Sequence, residues 1–304
     1  MNKPSATILL LVLALIRVVR GAELQGVELF AEKNFDVHCS DNPDPRLATE
    51  IRRWVDRAAD AVTNYYQRYP VKHVDIYIKL RLGSGVGGGH AQGWDGPRIY
   101  VSVGRNTSRA AFDDDWVLTH EMVHLAFPSV PRENHWIEEG LATYVEPIAR
   151  ARVGQLSPER IWGDMVAGMP NGLPQAGDAG MDHTPTWGRT YWGGALFCLS
   201  ADVEIRRRTH EQKGLEDAVR GILNKVGNIE LDASLIDLLR AADETIGVAV
   251  LVALYEDWKD KPVTPDLPKL WQALGVQTKD GKTAFDDNAS LAPERRAITT
   301  GRGS

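Results

Sequence analysis

The sequence predicts an α+β fold, with an α/β half ahead of a mostly helical half, on three observations. Residues 74–80 and 99–103 alternate apolar and polar side chains as half-buried strands do, through Val74, Ile76, Ile78 and Leu80 and then Ile99, Val101 and Val103. Leu47, Ile51, Trp54, Val55, Ala58, Val62 and Tyr65 recur at helical spacing between them and the N-terminus. From about residue 113 the pattern is mostly helical, broken by a Gly- and Pro-rich stretch at 168–185.

Taken in order, residues 27–39 read as extended, with Phe35, Val37 and Cys39 on one face. Asp44 followed by Pro45 is an N-cap and first helical position, and Pro70 closes that helix. The Gly-rich run 83–96 separates the two strands and ends in the turn-like Trp94-Asp95-Gly96-Pro97. Helical stripes recur late in Leu215, Val219 and Ile222 and in Leu235, Leu238 and Leu239, and 246–255 is richly apolar. No repeat or long linker divides the chain. Residues 23–304 therefore read as one domain, with an α/β lobe over 23–112 and a mainly helical lobe over 113–304.

The chain has 304 residues, 43% hydrophobic and 25% charged, which excludes a disordered or fibrous protein. Its net charge of -6 argues against nucleic acid as a partner, since phosphate binding needs a basic surface. Residues 6–16 (ATILLLVLALI) form an apolar run of 11 residues behind Lys3, too short for a bilayer but suited to a secretory signal. Gly21 and Ala22 then supply small residues for cleavage, so residues 1–22 read as a signal peptide. The mature chain is expected to be secreted or periplasmic, with no stable membrane insertion. Only Cys39 and Cys198 could pair there, and both sit in apolar patterns that favour buried free thiols.

The chemistry lies in His120-Glu121-Met122-Val123-His124. On a helix, positions 120 and 124 are about 40° apart and one turn along. Two imidazoles so placed can meet one cation, and zinc is the expected ion. Glu121 sits beside that face, near enough to take a proton from a water activated by the metal without being a ligand. Asp113, Asp114 and Asp115 precede the helix and favour its start.

A catalytic zinc needs a third protein ligand. The run Trp136-Ile137-Glu138-Glu139-Gly140-Leu141-Ala142-Thr143-Tyr144 resembles the second zinc helix of the gluzincin metallopeptidases, whose third ligand is the Glu before Gly in W-x-x-E-G-x-A-x-Y. The resemblance makes Glu139 that ligand. Glu138 points about 100° away. Thr143 and Glu146 lie one and two turns along the face of Glu139, placed to hydrogen-bond a ligating histidine. His135 is a competing third ligand, because only 14 residues separate His124 from Glu139.

Further on, Thr190-Tyr191-Trp192-Gly193-Gly194 through Asp202, Ile205 and Arg206 is similar to the Y-x-x-G helix of the M1 and M61 aminopeptidase clans, and closest to M61. The resemblance implies a thermolysin-like catalytic domain in which Tyr191 hydrogen-bonds the oxyanion. His183 and Arg189 are lesser candidates for that role. Two departures stand out. Gly193 replaces the basic residue usual before the Gly. The stretch 87–93 (GGGHAQG) lacks the acid with which those clans grip a substrate's α-amine, although Gly88 and Gly89 would let a substrate backbone lie close to an edge strand.

The expected activity is peptide-bond hydrolysis of a peptide or protein substrate, with endo- or aminopeptidase specificity left open. The alternative is an inactive peptidase-like zinc protein that holds a peptide or protein partner in the same cleft.

Overall fold

A computed structural model describes residues 26–301, and the expected signal segment 1–22 lies outside them. The chain opens with a hairpin, β1 (Val27–Ala31) and β2 (Phe35–Cys39), then crosses through helix α1 (Pro45–Tyr66) to β3 (Val74–Arg81). Two further strands follow, β4 (Val86–Gln92) and β5 (Arg98–Gly104). The sheet order is β1-β2-β3-β5-β4. β2, β3 and β5 run parallel, while β1 and β4 close the two edges antiparallel. The parallel pairing of β2 with β3 is the geometry a helical crossover provides.

Local chemistry accounts for these elements. The Asp44 carboxylate accepts the Leu47 N–H at 2.9 Å and Pro45 occupies the first turn of α1. The apolar stripe of that helix, Leu47 through Tyr65, is buried. It joins one core with the inner sheet face of Val37, Cys39, Val74, Ile76, Ile78, Ile99, Val101 and Val103. Cys39 in β2 is buried, as is Cys198, and both thiols are free.

The remainder is mainly helical: α2 (Arg109–Asp114), α3 (Val117–His124), α4 (His135–Arg152), α5 (Pro158–Gly168), α6 (Gly194–Arg208), α7 (Leu215–Lys225), α8 (Leu235–Ile246), α9 (Leu251–Trp258), α10 (Leu267–Leu274) and α11 (Ala292–Thr300). Just before α6, residues Gly188–Gly193 form a wide, π-type turn. No helix among the described residues is long and apolar enough to cross a membrane.

Two departures from the sequence reading have physical causes. By composition the run 83–96 reads as a Gly-rich connection, yet its middle pairs with β5 as the edge strand β4, as the resemblance implies for 87–93, its glycines tolerated where only one neighbour must be matched. The helical half also contains a hairpin, β6 (Val276–Lys279) and β7 (Lys282–Phe285), turning at Asp280-Gly281. Asp-Gly is a strong two-residue hairpin signal, and it overrides the surrounding helical pattern.

Candidate metal centre and cleft

Helix α3 starts on Asp115, whose carboxylate accepts the N–H groups of Val117 and Leu118 and the Trp54 indole N–H. Of the three aspartates expected to favour this start, only Asp115 caps it. Asp113 and Asp114 belong to α2, where they pair with Arg53 and Arg160 at 2.6 Å. Leu118 and Met122 anchor the helix in the core. His120 and His124 share the opposite face, with ring centroids 4.9 Å apart.

Helix α4 brings Glu139 to them. Its Oε2 lies 3.2 Å from His120 Nε2 and 3.7 Å from His124 Nε2. Donor atoms of these three residues all fall within 4.8 Å of one another. An ion with tetrahedral bonds of about 2.0–2.2 Å sets its ligands about 3.3 Å apart, so the trio fits zinc in spacing and in chemistry. Burial alone would raise the Glu139 carboxyl, but His124, His120 and His135 around it hold it well below the usual carboxylate range.

His135 does not join the trio. Its Nδ1 lies 2.6 Å from Glu138 Oε2, and its Nε2 lies 3.2 Å from the other Glu139 oxygen, Oε1. The ring therefore braces Glu139 from the solvent side. The spacing of four between His135 and Glu139 on one helix was the legible signal for this contact.

Tyr191 lines the same cleft as Glu139. Its ring stacks between those of His120 and Trp187, at 6.3 and 6.1 Å. What brings this turn so close is Gly140, directly after Glu139. A Cβ there would lie 2.3 Å from the backbone of Gly194. Gly140→Ala is therefore expected to force α4 and α6 apart, costing about 1–3 kcal/mol. A thermal melt reads that cost, and an unchanged melting temperature would show that the crossing relaxes freely.

Glu121 lies under the edge strand. A Cβ at Gly89 would come 2.6 Å from Glu121 Cγ, so only glycine lets the strand lie this close over the carboxyl. Burial pushes Glu121 up to about 7, partly opposed by His124 and by a hydrogen bond from the Ala91 backbone. A Cβ at Gly88 would meet nothing within 4 Å, and like Gly89 this residue lines the cleft.

Thr143 and Glu146 line the same cavity of about 950 Å³, but neither holds a histidine. Glu146 Oε1 accepts from Arg150 at 2.8 Å, which draws the carboxylate along its own helix. Thr143 Oγ1 is buried without a hydrogen-bond partner among the described residues. His183 and Arg189 pair instead with Asp260 and Asp178, each at 2.8 Å. Of the tryptophans, which as a group could line a peptide cleft, Trp187 and Trp192 do so beside Tyr191. So do Trp94 and Trp116, 72% and 52% exposed, which no spacing singles out because an exposed aromatic is a signal only once the surface is known.

No family model matches the chain, and no curated protein matches it. Solved structures do. An aminopeptidase N family protein from Idiomarina loihiensis is similar with a TM-score of 0.62 and 15% identity, over 83% of this chain and 49% of that one. Native yeast LTA4 hydrolase is similar with a TM-score of 0.53 and 14% identity, over 80% of this chain and 40% of that one. The chain spans half or less of the length of these two proteins. At such identities the likeness is one of fold: a mixed α/β architecture shared with the aminopeptidase N family protein and LTA4 hydrolase.

Proposed function

We propose that this chain is a zinc-dependent peptidase of the gluzincin type, acting after export and removal of residues 1–22. The observation that carries the reading is the convergence in one cleft of the His120–His124–Glu139 donor trio, the buried carboxyl of Glu121 and the phenol of Tyr191. The fold likeness supports it, whereas the finer kinship with M61 peptidases rests on the Tyr191 block alone.

His120, His124 and Glu139 would hold the zinc ion, which when bound supplies a Lewis acid that acidifies water and polarises a carbonyl. Glu121 takes the proton of the attacking water and later hands it to the leaving amine. Its place in the cleft, buried beneath β4 and next to the donor trio without belonging to it, suits that role. Tyr191 donates its phenolic hydrogen to the oxyanion. Along the cleft, backbone groups of β4 pair with an extended substrate, and Gly88 and Gly89 keep that approach unobstructed.

No acid stands in β4 to hold an α-ammonium group, so cleavage inside a peptide is the favoured mode. Tyr191→Phe is expected to lower kcat about 10²–10³-fold with KM little changed, since one oxyanion donor is lost. Unaltered kcat would remove Tyr191 from the mechanism.

The whole reading is tested by digesting a mixed peptide library, before and after chelation and zinc restoration, with products read by mass spectrometry. Zinc-dependent internal cuts support an endopeptidase. Stepwise loss of N-terminal residues would mean that another group grips the amine. Absence of zinc-dependent cleavage, with a peptide retained intact, would favour the inactive binding protein.

A further inference from the structure

We propose a second divalent-cation site, of zinc type, on the open face of the sheet, formed by Asp36, His73 and Asp75. Their donor atoms lie within 4.8 Å of one another, the other such cluster among the described residues beside the catalytic trio. His73 Nε2 is 3.3 Å from Asp36 Oδ2 and 4.0 Å from Asp75 Oδ1. The first spacing matches the edge of about 3.3 Å that a tetrahedral zinc imposes, the second is wider and must close as the ion binds, and imidazole with carboxylate is an ordinary zinc donor set.

The strand register explains why these groups meet. Asp36 in β2 and Asp75 in β3 are direct partners of a parallel pair and project from the same face. Neighbouring strands lie about 4.8 Å apart, so two like charges are set side by side, an arrangement that destabilises a sheet unless something positive lies between them. His73, immediately before β3, leans over the pair and completes a three-donor set that faces solvent.

A second histidine supports the first. His38 Nε2 lies 3.1 Å from Asp75 Oδ1, and the His38 ring is stacked on Tyr77 at 4.9 Å, which fixes its orientation. Ligating carboxylates are as a rule hydrogen-bonded by an outer partner, and His38 would be that partner for Asp75. The same stack continues from Tyr77 to Tyr100 at 5.3 Å, so the face that carries the donors is held rigidly across three strands. A bound ion would tie β2 to β3 on the face opposite the core. It would stabilise the sheet without taking part in the cleft.

The test uses the mature chain carrying His120→Ala and His124→Ala, stripped of metal and titrated with Zn²⁺ by calorimetry. Roughly one equivalent is expected to bind, and adding Asp36→Asn with His73→Ala should weaken that binding about 100-fold or more. Absence of zinc binding in the first protein, or an unchanged affinity in the second, would overturn the site. If removal of the cleft histidines unfolds the chain, Asp36→Asn with His73→Ala is made in the otherwise intact protein. Zinc per chain should then fall from roughly two to one by elemental analysis, and an unchanged content would again overturn it. Loss of cleavage belongs to the cleft reading and stoichiometry to this one, so the two fail separately.

Discussion

Glu121→Gln is expected to lower kcat about 10²–10⁴-fold while zinc content stays at that of the parent. The amide has nearly the shape of the carboxyl, so it fills the same space beneath Gly89 and its oxygen can still accept the Ala91 N–H. It cannot take a proton. Because Glu121 is not one of the three converging donors, the metal-binding set is untouched. The two readouts therefore separate. Retention of more than about a tenth of parental kcat would mean that another group serves as base. Loss of zinc with the activity would place Glu121 among the ligands instead.

The second large effect is on stability. Arg206→Met is expected to destabilise the fold by about 3–5 kcal/mol, because removing one partner strands the others as buried charges. Arg206 is fully buried in α6, 2.9 Å from Asp202 and 2.6 Å from Glu216 in α7. Asp202 also accepts the Tyr144 hydroxyl from α4 and the Leu215 N–H, and Arg152 of α4 lies 3.5 Å from Glu216. Burial pushes Glu216 up, but Arg152 and Arg206 together hold it below its ordinary value. Methionine fills much of the volume but leaves Asp202 without its counter-charge and Glu216 with Arg152 alone. A melting temperature lower by on the order of 10 °C is the expected reading. A change of only a few degrees would mean that water or a neighbouring cation reaches the acids.

This network also bears on the cleft. It joins α4, which carries Glu139, to α6, which follows Tyr191 directly. Two of its residues, Asp202 and Arg206, lie one turn apart within the block that resembles the Y-x-x-G helix. Their shared face was legible from that spacing, while the identity of Glu216 and Tyr144 as partners was not.

What the sequence determined by itself is local and periodic. His120 and His124 face one side because four residues make about one helical turn. Asp44 and Pro45 start α1, and alternation marks β3 and β5, since these patterns state which face of an element is buried. The resemblance of the Glu139 run then named a third donor that spacing could not supply.

The tertiary structure decided which faces meet. Glu146 shares a helical stripe with Glu139, yet Arg150 claims it, because distance along the axis separates side chains that a stripe aligns. Gly140 reads as an ordinary helical glycine until α6 is seen crossing within contact of it. The run GGGHAQ became an edge strand over Glu121 only because β5 offered a free side to pair with. Asp36 and Asp75, far apart in the chain, become neighbours through a crossover whose register no single segment encodes. Periodicity is a property of one element, whereas a site is a property of several, fixed by the packing that leaves them no other close approach.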